Sequence, residues 1–206
     1  MARARGKGRG GWRGLSEAAL KARLSTPSSK ARKTPAAAPL IAKPRVTVLG
    51  IDPGSRLLGF GLLERRGAQA QYLHSGTLKA QGEDYLERLA YLNREVFALM
   101  AIHQPDEVVI EKAFVSKNSD SALKLGQVRG MVMSAALSVN AHIHEYTPRT
   151  VKQSVTGLGS AQKVAVQRMV GLILKLDQTL QADEADALAV ALCHVNAVHR
   201  VRLLGE

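Results

Sequence analysis

The sequence contains a single cysteine, Cys193, and no run of about 18 apolar residues, the length a transmembrane helix needs. One cysteine excludes a disulfide framework and favours a reducing compartment, because structural disulfides belong mainly to oxidising environments. The lack of a long apolar run predicts that no helix crosses a membrane. We therefore expect a cytoplasmic chain that folds around a hydrophobic core.

Acidic residues are nearly absent from the first 45 positions, which changes the meaning of the net charge of +12. Residues 1–45 hold twelve Lys or Arg and one acid, Glu17, whereas residues 46–206 hold seventeen basic and sixteen acidic residues. The first segment is also rich in Gly, Pro, Ala and Ser, so it cannot bury enough apolar surface to offset chain entropy. We predict a basic disordered tail at 1–45, suited to polyanions, and one folded domain at 46–206. A short helix at 15–24 and an organellar targeting peptide are alternatives for this tail.

From residue 46 onward, the hydrophobic pattern predicts an α/β domain. Short apolar or alternating runs predict strands at 46–51, 59–65, 70–79, 107–111 and 142–146. Helical periodicity predicts helices at 84–102, 119–139, 148–155, 161–175 and 183–198. In the first of these helices, one apolar stripe is expected to comprise Leu86, Leu89, Leu92, Val96, Leu99 and Met100. Three strands followed by alternating helices and strands imply a mixed five-stranded sheet flanked by helices.

Four carboxylates stand at positions where a metal site is expected. Asp52 follows the first apolar strand, Glu111 ends the fourth, and Asp183 and Asp186 begin the last helix. Singly, each has an ordinary explanation: a turn cap before Pro53, a solvated strand end, or a favourable interaction with the helix dipole. If all four converge, each pair about 5 Å apart repels by roughly 3 kcal/mol at an effective dielectric near 20. Such a group needs cations.

The donor atoms indicate which cation. Carboxylate oxygens suit Mg²⁺ or Mn²⁺, and no cluster of Cys and His at ligand spacing suggests zinc. We interpret the five histidines His103, His142, His144, His194 and His199 as structural or exposed. Two Mg²⁺ would formally balance four carboxylates, and paired metals are a known device for cleaving phosphodiesters. The residues therefore predict two-metal phosphodiester hydrolysis.

Five motifs occur in order across residues 46–195: GIDPGSRLLGFG, IEKAF, KNSDSALKLGQVRG, VKQSVTGLGSAQK and QADEADALA. In sequence and in order they resemble the motif series of the RuvC family of Holliday junction resolvases. The resemblance implies a ribonuclease H-like fold, a homodimer that makes paired symmetric nicks in four-way junction DNA, and two Mg²⁺ per subunit, with Mn²⁺ as a substitute. It also implies cooperation with the branch-migration proteins RuvA and RuvB, and a bacterial nucleoid location.

The same resemblance implies roles for individual residues. Asp52, Glu111, Asp183 and Asp186 match metal ligands, and Lys152 and Lys163 match basic residues beside the scissile phosphate. Phe114 matches an aromatic residue that stacks near the junction's exchange point. Further DNA contacts are expected from the polar loop around Phe114 and from the GLGS loop, at Lys117, Asn118, Gly157, Gly159 and Ser160. Two features depart from the family pattern: the basic tail, and Glu184, which adds an acid between the two aspartates.

Two other functions compete with this interpretation. Nucleotide-binding enzymes of the actin and sugar-kinase superfamily also carry a strand followed by Asp-x-Gly, but they normally need a second glycine-rich phosphate loop and a second domain. Residues 46–206 offer neither. A non-catalytic junction-binding protein on the same fold is the other alternative, and the presence of all four carboxylates and both lysines argues against it.

Overall fold

The computed structural model of the chain describes residues 45–112, 119–177 and 179–204. Apart from Arg45, the predicted tail lies outside the described residues. The strands are β1 (Val46–Asp52), β2 (Leu57–Arg66), β3 (Gln69–Lys79), β4 (Glu107–Glu111) and β5 (His142–Tyr146). The helices are α1 (Tyr85–His103), α2 (Ser119–Ser138), α3 (Pro148–Thr156), α4 (Lys163–Leu174) and α5 (Ala182–Leu204).

The five strands form one sheet in the order β3-β2-β1-β4-β5. The first three strands pair as antiparallel neighbours, while β4 pairs parallel with β1 and β5 pairs parallel with β4. Antiparallel pairs need only short turns, as at Gly67, where a φ of 61° suits the link between β2 and β3. Parallel pairs need a crossover, and α2 connects β4 to β5. The prediction of an α/β domain with a mixed five-stranded sheet is confirmed.

Both faces of the sheet carry a hydrophobic core. On one face, Leu49 and Val108 belong to a cluster that includes Leu92 of α1 and Val132 of α2. On the other face, Val48 and Val109 belong to a cluster built with α3, α4 and α5. Neighbouring strand residues face opposite sides, so continuous apolar runs such as those of β1 and β4 fit a sheet covered on both faces.

The middle of helix α5 is completely buried. Every residue from 187 to 195 is at most 1% exposed, as expected for a helix that is apolar on all sides. Its backbone lies close to β1, because a Cβ atom on Gly50 would lie 2.1 Å from the carbonyl oxygen of Ala187. This close packing sets the position of the first turns of α5 beside the end of β1.

Some details of the helix predictions are wrong. Leu86 was expected on the buried stripe of α1, but it is 71% exposed; Leu89 is partly buried against the core, and full burial of this helix begins at Leu92. The last helix continues beyond 198 to Leu204, since no helix-stopping residue precedes Gly205. Among the described residues, no helix combines the length and the apolar composition that crossing a membrane requires.

Candidate active site

The ends of β1 and β4 bring two of the predicted carboxylates to one edge of the sheet. The parallel register places Ile51 opposite Ile110. The residues that follow, Asp52 and Glu111, therefore lie side by side on strands about 4.8 Å apart. Ile51 and Ile110 belong to the core on the α1 and α2 face. Because side chains alternate along a strand, Asp52 and Glu111 face the side that α5 covers.

The first turns of α5 bring the other two carboxylates to the same edge. Asp183 packs on β2, where a Cβ atom on Gly59 would lie 3.2 Å from the Asp183 Cβ, and Gly59 is the register partner of Asp52. One turn later, Asp186 Oδ2 accepts a hydrogen bond of 2.8 Å from Lys163 Nζ. Lys163 is the first residue of α4, so two helix starts meet above the ends of β1 and β4.

A small cleft joins most of the predicted catalytic residues. Its volume is about 210 Å³, and its walls are formed by Asp52, Glu111, Pro148, Val151, Lys152, Lys163, Val166 and Asp186. Three of the four carboxylates and both lysines thus share one concave surface, while Asp183 lies next to it. The cleft sits at the carboxyl ends of parallel strands, where open α/β sheets bind their ligands.

The electrostatics of the cleft favour a bound cation. Burial raises the pKa of Asp52 to about 7, with further contributions from the charges of Asp186, Glu111 and Asp183. Burial also raises the pKa of Glu111, as does Asp186, against the opposing charges of nearby lysines and Arg129. An opposite charge among these oxygens would favour their ionised forms. The oxygen-only donor set therefore fits Mg²⁺ or Mn²⁺.

Glu184, the additional acid between the two aspartates, is directed elsewhere. Its Oε1 accepts a hydrogen bond of 2.5 Å from Ser75 Oγ on β3, and its Oε2 accepts one of 3.0 Å from the backbone N–H of Gln181. The second bond closes a capping arrangement at the start of α5. Both carboxylate oxygens of Glu184 are therefore engaged away from the cleft.

The residues predicted to bind DNA are only partly described. Phe114, Lys117 and Asn118 lie outside the described residues. Gly157 ends α3 with a φ of 79° and donates its backbone N–H to Gln153, so it serves as a helix cap. A Cβ atom on Gly159 would lie 2.7 Å from Arg149 Cγ, so a larger residue here would require the exposed Arg149 side chain to move. Ser160 is exposed.

A buried polar network at the other end of β4 was not predicted from the sequence. His194, on α5, shares hydrogen bonds of 2.8 Å with the Tyr146 hydroxyl and 2.9 Å with Glu107 Oε2, and Arg65 contacts the other oxygen of Glu107 at 3.2 Å. Together with His144, Glu107 and His194 bring three possible metal ligands within 4.8 Å of one another.

This network does not suit a metal ion. Both ring nitrogens of His194 already have partners, and the His144 ring stacks on the His194 ring with centroids 4.1 Å apart and planes 31° apart. An imidazole binds a metal in the plane of its ring, so two stacked rings direct their nitrogens past one another. The positive charge of Arg65 beside Glu107 opposes a cation as well.

Arg129 also contacts the site without having been singled out. Its guanidinium donates one hydrogen bond to the backbone carbonyl of Glu111 and another to the carboxylate of Glu145. The signal available in the sequence was an arginine between Val128 and Val132 on the apolar side of the predicted helix. Which acceptors it reaches depends on tertiary contacts that no local pattern encodes.

The fold and the site together define a class of protein. The sheet has the strand order β3-β2-β1-β4-β5, helices on both faces and carboxylates at the ends of β1 and β4. This is the architecture of a ribonuclease H-like domain. The profile of the family "Crossover junction endodeoxyribonuclease RuvC" matches residues 48–194, a span that includes all four carboxylates and both lysines. The chain belongs to the RuvC family.

Individual relatives agree with this assignment. The RuvC of Pseudoalteromonas atlantica is 52% identical over 147 residues, which cover 71% of this chain and 85% of the relative. The RuvC of Vibrio campbellii is 48% identical over 149 residues, covering 72% and 86%. Among solved structures, Thermus thermophilus RuvC in complex with a Holliday junction substrate matches with a TM-score of 0.69 and 32% identity, covering 75% of this chain and 96% of the other.

Proposed function

We propose that this protein resolves Holliday junctions by paired symmetric nicks, in DNA recombination and repair. The observation that carries the proposal is the cleft at the ends of β1 and β4. It brings Asp52, Glu111 and Asp186 together with two lysines in a chain of the RuvC family. A carboxylate group for cations and ammonium groups for a phosphate are the parts that phosphodiester hydrolysis requires.

Enzymes of this family depend on metal ions, and in this chain the metal ligands are proposed to be Asp52, Glu111, Asp183 and Asp186. These residues would hold two Mg²⁺, with Mn²⁺ as a substitute, since the crowding of carboxylates that raises the pKa values of Asp52 and Glu111 favours a cation in their midst. Bound divalent cations supply a Lewis acid and lower the pKa of water. The chain's own contribution is to hold these oxygens at the floor of the cleft.

The two lysines are proposed to act on the scissile phosphate. Lys152 on α3 and Lys163 on α4 both line the cleft, so their ammonium groups can stabilise charge on a phosphate bound there. The Lys163 side chain is 72% exposed and pairs with the 24% exposed Asp186, so it remains accessible to a DNA strand. The pKa of Lys163 is raised by this hydrogen bond, which keeps the group cationic.

The DNA-contacting residues are proposed to lie on both sides of the cleft. Gly157, Gly159 and Ser160 come just after the end of α3, the helix that carries Lys152, so they are proposed to contact DNA near the same phosphate. Phe114, Lys117 and Asn118 follow Glu111 along the chain. The RuvC resemblance assigns Phe114 to stacking near the junction's exchange point, and Lys117 and Asn118 are proposed as further DNA contacts. The basic tail at 1–45 would add sequence-independent contacts to phosphates, beside a folded nuclease domain at 46–206.

The assembly is proposed to be a homodimer, because a four-way junction has two-fold symmetry and paired nicks need two related active sites. Helix α2 carries two leucines, Leu123 and Leu137, that are each 64% exposed and offer apolar surface for such contacts. Cooperation with RuvA and RuvB, and action on the bacterial nucleoid in the cytoplasm, belong to the same proposal through the family.

The decisive experiment compares two labelled substrates of equal length, a mobile four-way junction and a linear duplex, with Mg²⁺. We expect symmetric nicks in the junction and little cleavage of the duplex. Equal rates on the two substrates would leave a nuclease but remove the resolvase function. Binding of the junction without any nick in Mg²⁺ or Mn²⁺ would instead favour a non-catalytic binding protein.

A further inference from the structure

The end of β4 is held by one arginine from the neighbouring helix. Arg129 of α2 donates from Nη1 to the backbone carbonyl of Glu111 and from Nη2 to Oε1 of Glu145, on β5. The Arg129 side chain is 13% exposed and that of Glu145 is 32% exposed, so the guanidinium is partly shielded from solvent. Two donors on one rigid plane therefore tie together α2, β4 and β5.

This contact bears directly on how Glu111 is presented to the cleft. Glu111 is the last residue of β4 and the register partner of Tyr146, whose carbonyl accepts the backbone N–H of Lys112 at 2.7 Å. The carbonyl of Glu111 is bound by Arg129 instead. Both ends of the peptide group between Glu111 and Lys112 are thus fixed. Because the Cα–Cβ direction follows the backbone, the Glu111 carboxylate leaves the sheet in a defined direction.

The charge of the guanidinium is matched by Glu145 rather than by Glu111. Arg129 reaches only the main chain of Glu111, and the carboxylate with which it pairs is on the neighbouring strand. This arrangement fixes the backbone while leaving the Glu111 carboxylate free to bind a cation. A direct ion pair between the two side chains would have occupied those oxygens.

We propose that Arg129 is a positioning residue for the metal site, which orients Glu111 by holding its backbone carbonyl. The inference rests on the proposed function, in which Glu111 is a metal ligand. Partners that orient a ligand without touching the metal typically contribute about 10- to 100-fold to metal affinity. Loss of the Arg129 contact is expected to weaken metal binding by a factor in this range.

The chain offers a matched control at the opposite end of the same strand. Arg65 is also buried, at 4% exposure, and pairs with Glu107, the first residue of β4. Glu107 and Glu111 are four residues apart, or about 13 Å along a strand. Arg65→Lys and Arg129→Lys both replace a planar fork by a single ammonium, which cannot reproduce two fixed donor directions. Only the second change affects the carbonyl of Glu111.

The test measures Mn²⁺ binding to the full chain without DNA, from the EPR signal of free Mn²⁺, for wild type and both variants. In parallel, cleavage of a four-way junction is followed as a function of Mg²⁺ concentration, junction binding is measured in Ca²⁺, and thermal unfolding is recorded. For Arg129→Lys we expect about tenfold weaker Mn²⁺ binding and a similar increase in the Mg²⁺ needed for half-maximal cleavage. Junction binding stays at the wild-type value. Arg65→Lys melts at a lower temperature but keeps wild-type Mn²⁺ affinity.

Wild-type Mn²⁺ affinity in folded Arg129→Lys would overturn the proposal. An equal loss of Mn²⁺ affinity in Arg65→Lys would also overturn it, because the effect would then come from a general loss of stability. If Arg129→Lys does not fold, Glu145→Gln decides, because it removes the charge that orients the guanidinium. If Glu145→Gln binds Mn²⁺ several-fold more weakly than wild type, the proposal is supported; unchanged binding contradicts it. A wild-type protein that neither binds Mn²⁺ nor cleaves the junction would refute the proposed function instead.

Discussion

Gly59 of β2 and Asp183 of α5 touch backbone to backbone: a Cβ atom on Gly59 would lie 2.0 Å from the carbonyl oxygen of Asp183. Gly59 is also the register partner of Asp52. Asp52 and Asp183, two proposed metal ligands, can therefore lie close together only because Gly59 has no side chain. Any larger residue there must displace the first turn of α5.

Gly59→Ala is predicted to damage both stability and cleavage. The added methyl group collides with backbone atoms that cannot rotate away, so α5 must shift, at a cost of about 1–3 kcal/mol in the free energy of unfolding. Moving Asp183 and Asp186 away from Asp52 should lower the rate of junction cleavage at least tenfold. Chemical denaturation and single-turnover cleavage measure the two effects.

The control is Gly171→Ala in α4, where no atom outside the local helix lies within 4 Å of the new methyl group. This change should raise the free energy of unfolding by about 0.5–1 kcal/mol, because alanine favours a helix over glycine. Its cleavage rate should remain that of the wild type. Wild-type stability and cleavage in Gly59→Ala would show that α5 is not held at the distance described.

Asp52→Asn is predicted to abolish metal-dependent cleavage while preserving junction binding. The amide keeps the size of the side chain but removes the charge that would attract cations. Glu184→Gln is the matched control, since the glutamine oxygen can still accept from the backbone N–H of Gln181 while its NH₂ group donates to Ser75 Oγ. We expect its cleavage rate within about twofold of wild type. Cleavage assays and gel-shift titrations in Ca²⁺ test both variants, and loss of cleavage in Glu184→Gln alone would reverse the assignment.

The pH dependence of stability follows from the raised pKa of Asp52. In the unfolded chain its pKa is near 3.8, and in the folded protein it is about 7. Between these values the folded state holds the extra proton, so the metal-free protein loses stability as pH rises and the loss is complete above about pH 7. The raised pKa of Glu111 acts in the same direction.

Asp52→Asn should therefore melt at a higher temperature than wild type in EDTA at pH 8, by on the order of 5 °C. The difference should shrink towards pH 5, where folded Asp52 is protonated. Excess Mg²⁺ at pH 8 should stabilise the wild type more than the variant. Thermal unfolding by circular dichroism checks this, and an Asn-minus-Asp difference that is the same at pH 5 and pH 8 would contradict it.

The fold was predictable because each strand has a local signature. The apolar runs of β1 and β4 indicate strands buried on both faces, and the order of strands and helices restricts the topology. The sequence also predicts that Asp52 and Glu111 are neighbours, since the parallel strands β1 and β4 end at the same edge of the sheet. The burial of α5 was implied by its continuous apolar composition, but its distance from β1 depended on Gly50, whose role only the packing reveals.

Contacts between distant polar side chains could not be predicted in this way. Lys163 and Asp186 are 23 positions apart, and Arg129 and Glu145 are 16 apart. Neither pair follows a helical or strand period, so each depends on how helices pack on the sheet. Leu86 was misplaced for the same reason: periodicity identifies an apolar face but not how much of it meets the core.

Deleting residues 1–45 is predicted to weaken junction binding and to reduce its salt dependence. This segment carries twelve basic residues and one acid, while the remainder is almost neutral. Each phosphate that the tail neutralises contributes about −0.9 to the slope of log affinity against log salt. Binding titrations between 50 and 200 mM salt would measure that slope, roughly the range over which such contacts act. An unchanged slope would show that the tail does not contact DNA.

Lys163→Met is predicted to lower the single-turnover rate of cleavage by about 10²- to 10³-fold, the loss that follows removal of one group stabilising transition-state charge. The reason lies in its position: its ammonium is 2.8 Å from Asp186 Oδ2, inside the cleft that Asp52 and Glu111 share. Lys175, which follows the other end of the same helix, is exposed and outside that cleft, so Lys175→Met should cleave at nearly the wild-type rate. Junction binding in Ca²⁺ should be similar for both variants, because one surface charge contributes little to a large phosphate interface. Equal cleavage rates for the two variants would remove Lys163 from the catalytic group and leave its ion pair with Asp186 as a structural contact.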